Sequence, residues 1–127
     1  MIEDYFLQVE ATLREFPAIR SYALNKKIYN SRQGYIGGKI IFENGFLLEF
    51  MEVVDSGQSA KMKYRYQCMD KAQKLLFRYD NAPHHPQVSS FPHHRHSVRT
   101  VKASREPDLR TVLFEITQLA KRRSQRR

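Results

Sequence analysis

A chain of 127 residues with 41% hydrophobic content supports one packed core, so a single domain over residues 1–122 is expected, followed by a basic tail at 123–127. The net charge is +9, and Lys121, Arg122, Arg123, Arg126 and Arg127 crowd the C-terminus, so the partners this surface attracts are polyanions or acidic protein segments. The acidic start Met1-Ile2-Glu3-Asp4 is unlike a secretory leader, and no apolar run nears the roughly 18–20 residues that span a bilayer, which points to a cytoplasmic protein without a membrane partner. The lone Cys68 excludes an internal disulfide and reads as a small apolar strand residue.

From Ile2 to Phe16 the apolar residues Ile2, Tyr5, Phe6, Val9, Leu13 and Phe16 recur at three- and four-residue steps, the spacing of one helical face, and Pro17 closes that helix. Strand-like segments follow over 21–29, 35–43 and 46–54, each rich in aromatic or β-branched residues. Asn44-Gly45 between the last two predicts a two-residue type I′ turn, because both residues tolerate positive φ. Gly37-Gly38 lacks the Lys-Ser/Thr of a phosphate loop and predicts a bulge or a close backbone approach. Glu43, Glu49 and Glu52 read as solvent-facing or paired with the basic face.

In the next strand-like segment Lys61, Lys63, Arg65 and Gln67 alternate with Met62, Tyr64, Tyr66 and Cys68, so period two predicts a basic stripe on one face and a half-buried aromatic set on the other. A hairpin through residues 69–73 leads into 74–80. Near the end of the chain Leu109, Val112, Leu113, Ile116, Leu119 and Ala120 repeat at helical spacing behind Glu106, Pro107 and Asp108, a favourable helix start. The expected class is α+β: an antiparallel sheet of about five strands flanked by N- and C-terminal helices, which most simply cover one face and leave the other to the bases. An exposed sheet edge would also permit a homodimer.

All five histidines lie within residues 84–96, and the segment Asn81 to His96 around them also holds Pro83, Pro86 and Pro92. Two His-His pairs between prolines are not a core-packing pattern, and imidazole can donate, accept or bind a metal near neutral pH. The runs Tyr64-Arg65-Tyr66-Gln67, Phe77 to His85 (containing Asp-Asn-Ala-Pro-His-His) and Phe91-Pro92-His93-His94-Arg95-His96, with the closing Pro107 to Ile116 helix, resemble the TumE family of toxins over most of the chain. One departure is Ser97-Val98-Arg99-Thr100, where a more acidic or loop-like stretch would be expected. The resemblance implies a toxin–antitoxin component whose partner is a cognate antitoxin, in such families a helix-turn-helix protein. It carries no catalytic assignment.

The chemistry is therefore read from the residues. In a basic protein the histidine cluster suggests metal-independent ribonuclease action on RNA: a neutral imidazole takes the 2′-hydroxyl proton, a protonated one serves the leaving oxygen, and a cation steadies the phosphate. The expected catalytic set is His85, His94 and His96 with Asp80 as orienting carboxylate and Arg78 as cation, since alternation lets only one member of each His pair face the site. Lys61, Lys63, Arg65, Arg95 and Tyr79 are the expected nucleic-acid contacts. No cofactor is required by this scheme. An alternative uses His84, His94 and His96 as ligands for a divalent metal, although their spacing matches no standard zinc motif and Arg78 and Arg95 would oppose the ion. A third reading is a non-catalytic nucleic-acid-binding module.

Overall fold

The computed structural model describes residues 1–125. Helix α1 (Ile2–Arg14) is followed by seven strands, β1 (Ile19–Ile28), β2 (Gln33–Phe42), β3 (Leu47–Asp55), β4 (Lys63–Met69), β5 (Leu75–Asp80), β6 (His94–His96) and β7 (Val101–Ala103), and by helix α2 (Leu109–Gln125). The strands form one antiparallel sheet in chain order, each paired with the next. The α+β class is as the periodicity predicts. The sheet has seven strands where about five were expected, because β6 and β7, three residues each, are too short for an alternation to show. Helix α2 continues through Gln125, so the first part of the expected tail is helical, while Arg126 and Arg127 lie outside the described residues.

Both helices lie on one sheet face. Ile2, Phe6, Val9 and Leu13 from α1 and Leu109, Val112, Leu113 and Ile116 from α2 pack against the buried partners Ile36, Ile40, Leu48, Phe50, Tyr64, Tyr66 and Phe77. A sheet with one covered face reads as apolar-in, polar-out alternation, and β4 follows it: Tyr64, Tyr66 and Cys68 are buried while Lys63 and Arg65 are exposed. Burial pushes the Cys68 thiol up to about 12, as suits an inert core residue.

Glu52 departs from the expected solvent-facing role. Period two in β3 sets it between Phe50 and Val54 on the covered face, where it is fully buried and accepts hydrogen bonds from the hydroxyls of Tyr5, at 2.5 Å, and Tyr66. Desolvation raises its pKa, with the two phenols opposing that shift.

The Asn44-Gly45 turn also differs. Gly45 takes φ +94° but Asn44 does not take positive φ, and Phe42 N–H donates to Phe46 O at 2.9 Å, which makes a three-residue loop of Glu43, Asn44 and Gly45 instead of a type I′ turn. Asn44 Oδ1 accepts from Phe46 N–H at 3.0 Å, a side-chain turn that favours this geometry. The β4–β5 hairpin repeats it, with Asp70 N–H donating to Lys74 O at 2.9 Å and Gln73 in the left-handed position at φ 65°. At Gly38 the expected close approach is present: a Cβ there would lie 2.1 Å from Ala23 O.

Candidate active site

Strand pairing builds the site. Residues directly opposite one another in an antiparallel sheet project to the same face, and here Arg65 pairs with Asp80 and Asp80 with His94, while Gln67 pairs with Arg78 and Arg78 with His96. Two adjacent cross-strand rows thus bring Arg78, Asp80, His94 and His96 together on the face away from the helices. The loop 81–93 then folds back over this corner and adds His85.

That loop is tied at several points. Asn81 Oδ1 accepts from Tyr64 N–H at 3.0 Å, and Ala82 N–H donates to Asp80 Oδ1 at 3.0 Å. Val88 is buried, His93 Nδ1 is hydrogen-bonded to the Tyr64 hydroxyl at 2.8 Å, and Ser90 Oγ accepts from Ser104 N–H at 2.8 Å while donating to His93 O. Each tie satisfies a polar group that the covering loop removes from water.

Asp80, 6% exposed, is the hub. Its Oδ1 lies 2.7 Å from His94 Nε2, and its Oδ2 lies 3.0 Å from Arg78 Nε and 3.6 Å from His96 Nε2. His94 is also buried, and its Nδ1 faces Pro92 O at 2.9 Å. A carbonyl can only accept, so Nδ1 donates to it, and Nε2 is the nitrogen turned to the carboxylate. His96 is placed differently. Arg78 Nη2 approaches its Nε2 at 3.2 Å, and since a guanidinium has only protons to offer, that nitrogen accepts. Burial, followed by the Arg78 cation, holds the His96 pKa below the usual imidazole value. The ring of His85 stands 5.0 Å from that of His94 and 5.2 Å from that of His96, and its Nδ1 takes a 3.3 Å contact from Gln87 Nε2.

The structure therefore assembles His85, His94, His96, Asp80 and Arg78 in one corner. One potential ligand atom from each of the three histidines lies within 4.8 Å of the others, and the third member of this group is His85, whereas His84 is exposed and outside it.

The expected nucleic-acid contacts divide. Lys63 and Arg65 are exposed on the open face beside the cluster. Lys61 is not on that stripe: β4 begins two residues later, and its Nζ donates to Pro107 O at 2.7 Å and pairs with Glu106 at 3.4 Å, over the Tyr64 ring. Arg95 and Tyr79 pair with each other on the helix side, where both bind Glu115 of α2 at 2.6 Å. Their neighbours His94, His96 and Asp80 occupy the alternate positions, so period two places Arg95 and Tyr79 on the opposite face. Arg123 of the expected tail lies over the Phe46 ring and 3.8 Å from Asp70, leaving Lys121 and Arg122 exposed. No helix among the described residues is long and apolar enough to cross a membrane.

Met51, which no sequence pattern was read to place at the site, lines the hollow next to Arg65 together with Asn81 of the Asp-Asn-Ala-Pro-His-His run. The signal for Met51 was available, since period two in β3 sets it with Glu49 and Val53 on the polar face. A family model described as Toxin TumE matches residues 9–124, and no curated protein and no solved structure matches the chain.

Proposed function

The chain belongs to the family described as Toxin TumE, and on that premise we propose that it is the toxin of a toxin–antitoxin pair, an RNA-cleaving enzyme restrained by a cognate antitoxin protein. The family name indicates a toxin, and a toxin implies an antitoxin partner. The observation that supports ribonuclease chemistry is the unequal bonding of two adjacent imidazoles: His94 faces Asp80 and the Pro92 carbonyl, two acceptors, while His96 faces the Arg78 guanidinium, a donor. One ring is set up to give a proton and the other to take one, which is what transesterification at a phosphodiester requires.

In this scheme His96 Nε2 removes the 2′-hydroxyl proton, the oxygen attacks phosphorus, and the leaving 5′-oxygen displaces Asp80 Oδ1 as acceptor of the His94 Nε2 proton while the Pro92 carbonyl keeps Nδ1. Arg78, released from His96 as the phosphate arrives, steadies the charge on its oxygens, and Asp80 holds His94 in orientation. His85 closes the third side of the cluster and contacts the same phosphate. Expression of the full chain alone is expected to arrest growth, with arrest lost in His94→Ala and relieved by the cognate antitoxin. Growth unaffected by folded parent protein would overturn the toxin reading.

A second reading is favoured by the grouping of His85, His94 and His96, which presents three ring nitrogens as ligands for a divalent metal beside the Asp80 carboxylate. It is disfavoured by the Arg78 guanidinium, which lies within hydrogen-bonding reach of both His96 and Asp80 and would be repelled by the ion. Metal analysis of tag-free protein purified without chelator separates the two: a stoichiometric metal lost in His85→Ala supports the ligand role, and metal-free protein that cleaves RNA removes it.

A further inference from the structure

Beside the histidine corner the open sheet face holds a hollow of about 320 Å³, lined by Met51, Lys63, Arg65, Arg78, Asp80 and Asn81, at the lower end of the roughly 300–1,000 Å³ of ligand pockets. Pairing fixes its make-up. Arg65 stands between Met51 of β3 and Asp80 of β5, and Lys63 lies opposite Val53. Met51 is half-buried, whereas Lys63 and Arg65 are exposed and, among the described residues, form no ion pair. On the next strand Gly37 pairs with Met51, and the Tyr35 phenol lies over Gly37, where a Cβ would come within 2.6 Å of its oxygen. The surface thus combines unpaired cations, a polarisable thioether floor and an adjoining aromatic ring, and it shares Arg78 and Asp80 with the cluster.

We propose that this hollow is a subsite for one nucleotide of single-stranded RNA, its phosphate between Lys63 and Arg65 and its base against Met51 with Tyr35 beyond. The proposal rests on the ribonuclease reading above, since the bond cleaved is then the one that lies across Asp80 at His94 and His96. Charge complementarity selects a polyanion, and the apolar floor selects an unstacked base, which a paired A-form duplex keeps inside its helix. The strand spacing of about 4.8 Å puts the hollow within a few ångströms of Asp80, so adjacent phosphates of one strand reach both places.

The test uses full-length protein carrying His94→Ala, so that bound RNA stays intact, and a fluorescein-labelled single-stranded RNA ten-mer read by anisotropy over a salt series. In this background Lys63→Ala with Arg65→Ala is expected to weaken binding at least tenfold and to lower the log–log salt slope by about 0.7 per cation removed, while Lys121→Ala with Arg122→Ala changes neither to that extent. Thiouridine-substituted RNA irradiated on the same protein is expected to crosslink within β3 or β4. An unchanged affinity and slope in the Lys63/Arg65 variant, or crosslinks confined to α2, would overturn the subsite. Failure of the ribonuclease reading is seen separately, as absence of cleavage by the parent protein while the hollow still binds RNA.

Discussion

Arg95 Nη2 donates to Glu115 Oε2 at 2.6 Å on the sheet face opposite the one where His94 and His96, its neighbours in β6, meet Asp80. The guanidinium also stacks over the rings of Phe77 and Tyr79 at 5.0 and 5.3 Å. A strand of three residues has little pairing of its own, so this anchor to α2 fixes the register on which the two imidazoles depend. Arg95→Ala is expected to lower stability by about 1.5–3 kcal/mol, the range for a hydrogen bond to a charged group, and to reduce RNA cleavage. Denaturant unfolding and initial rates check this. The salt slope of RNA binding stays at the parent value, because Arg95 does not face the RNA.

His96 gives the pH dependence a sign. Burial and then Arg78 disfavour its charged form, so it stays a neutral base to lower pH than an ordinary imidazole near about 6.5. The acid limb of kcat/KM is expected below that value and moves up toward it in Arg78→Ala. The same shift makes the folded state bind fewer protons than the unfolded one in that window, so this group's contribution to stability is present above about pH 6.5 and is lost as pH falls through its folded pKa. A pH–rate profile on a short RNA, with an acid limb above about 6.5 that Arg78→Ala leaves in place, would remove His96 as the base.

Glu52 has the opposite sign. Its folded pKa is raised by burial, so the folded protein holds that proton longer than the unfolded chain does, and stability declines as pH rises from the ordinary carboxyl range through the folded value. Glu52→Gln removes the titration while keeping an acceptor for one of the two phenols. Urea midpoints across pH 4 to 8 are expected to fall less steeply with rising pH in the variant than in the parent; parallel profiles would count against the raised pKa.

The β4–β5 turn carries backbone strain. Gln73 adopts φ 65° where its counterpart in the β2–β3 turn is Gly45, and a side chain in the left-handed region costs about 1–2 kcal/mol. Gln73→Gly is expected to raise stability by roughly 0.5–1 kcal/mol after the greater freedom of glycine in the unfolded chain is offset. A thermal melt reads this as a small upward shift in Tm.

How much of this was legible follows from the length of each signal. Helix α1 and strands β2 to β5 have enough residues for a period to show, and their edges fall within a few residues of expectation. Three-residue strands do not, which left β6 and β7 out of the expected sheet and with them the fact that Arg95 and Tyr79 point to α2. Lys61 reads as part of the β4 alternation, but Glu106 and Pro107, distant in sequence, draw it to the segment that precedes α2. Glu52 reads as surface on its charge, although period two in β3 sets it in line with Phe50 and Val54; only the convergence of the Tyr5 and Tyr66 hydroxyls on it needs the fold. In the site, the concentration of histidines marked the place and His85 was expected in the catalytic set, whereas its taking the place of His84 in the three-histidine group needs the fold-back of the loop 81–93 onto the sheet.

Ribonuclease action by the histidine cluster is tested most simply by incubating purified protein with total RNA and defined tRNAs, with and without EDTA, and reading product ends as well as sizes. Cleavage is expected to persist in EDTA, to leave 2′,3′-cyclic phosphates, and to fall by about 10² to 10⁴-fold in His94→Ala and His96→Ala. Cleavage abolished by EDTA, or RNA left intact by folded protein, would contradict this mechanism.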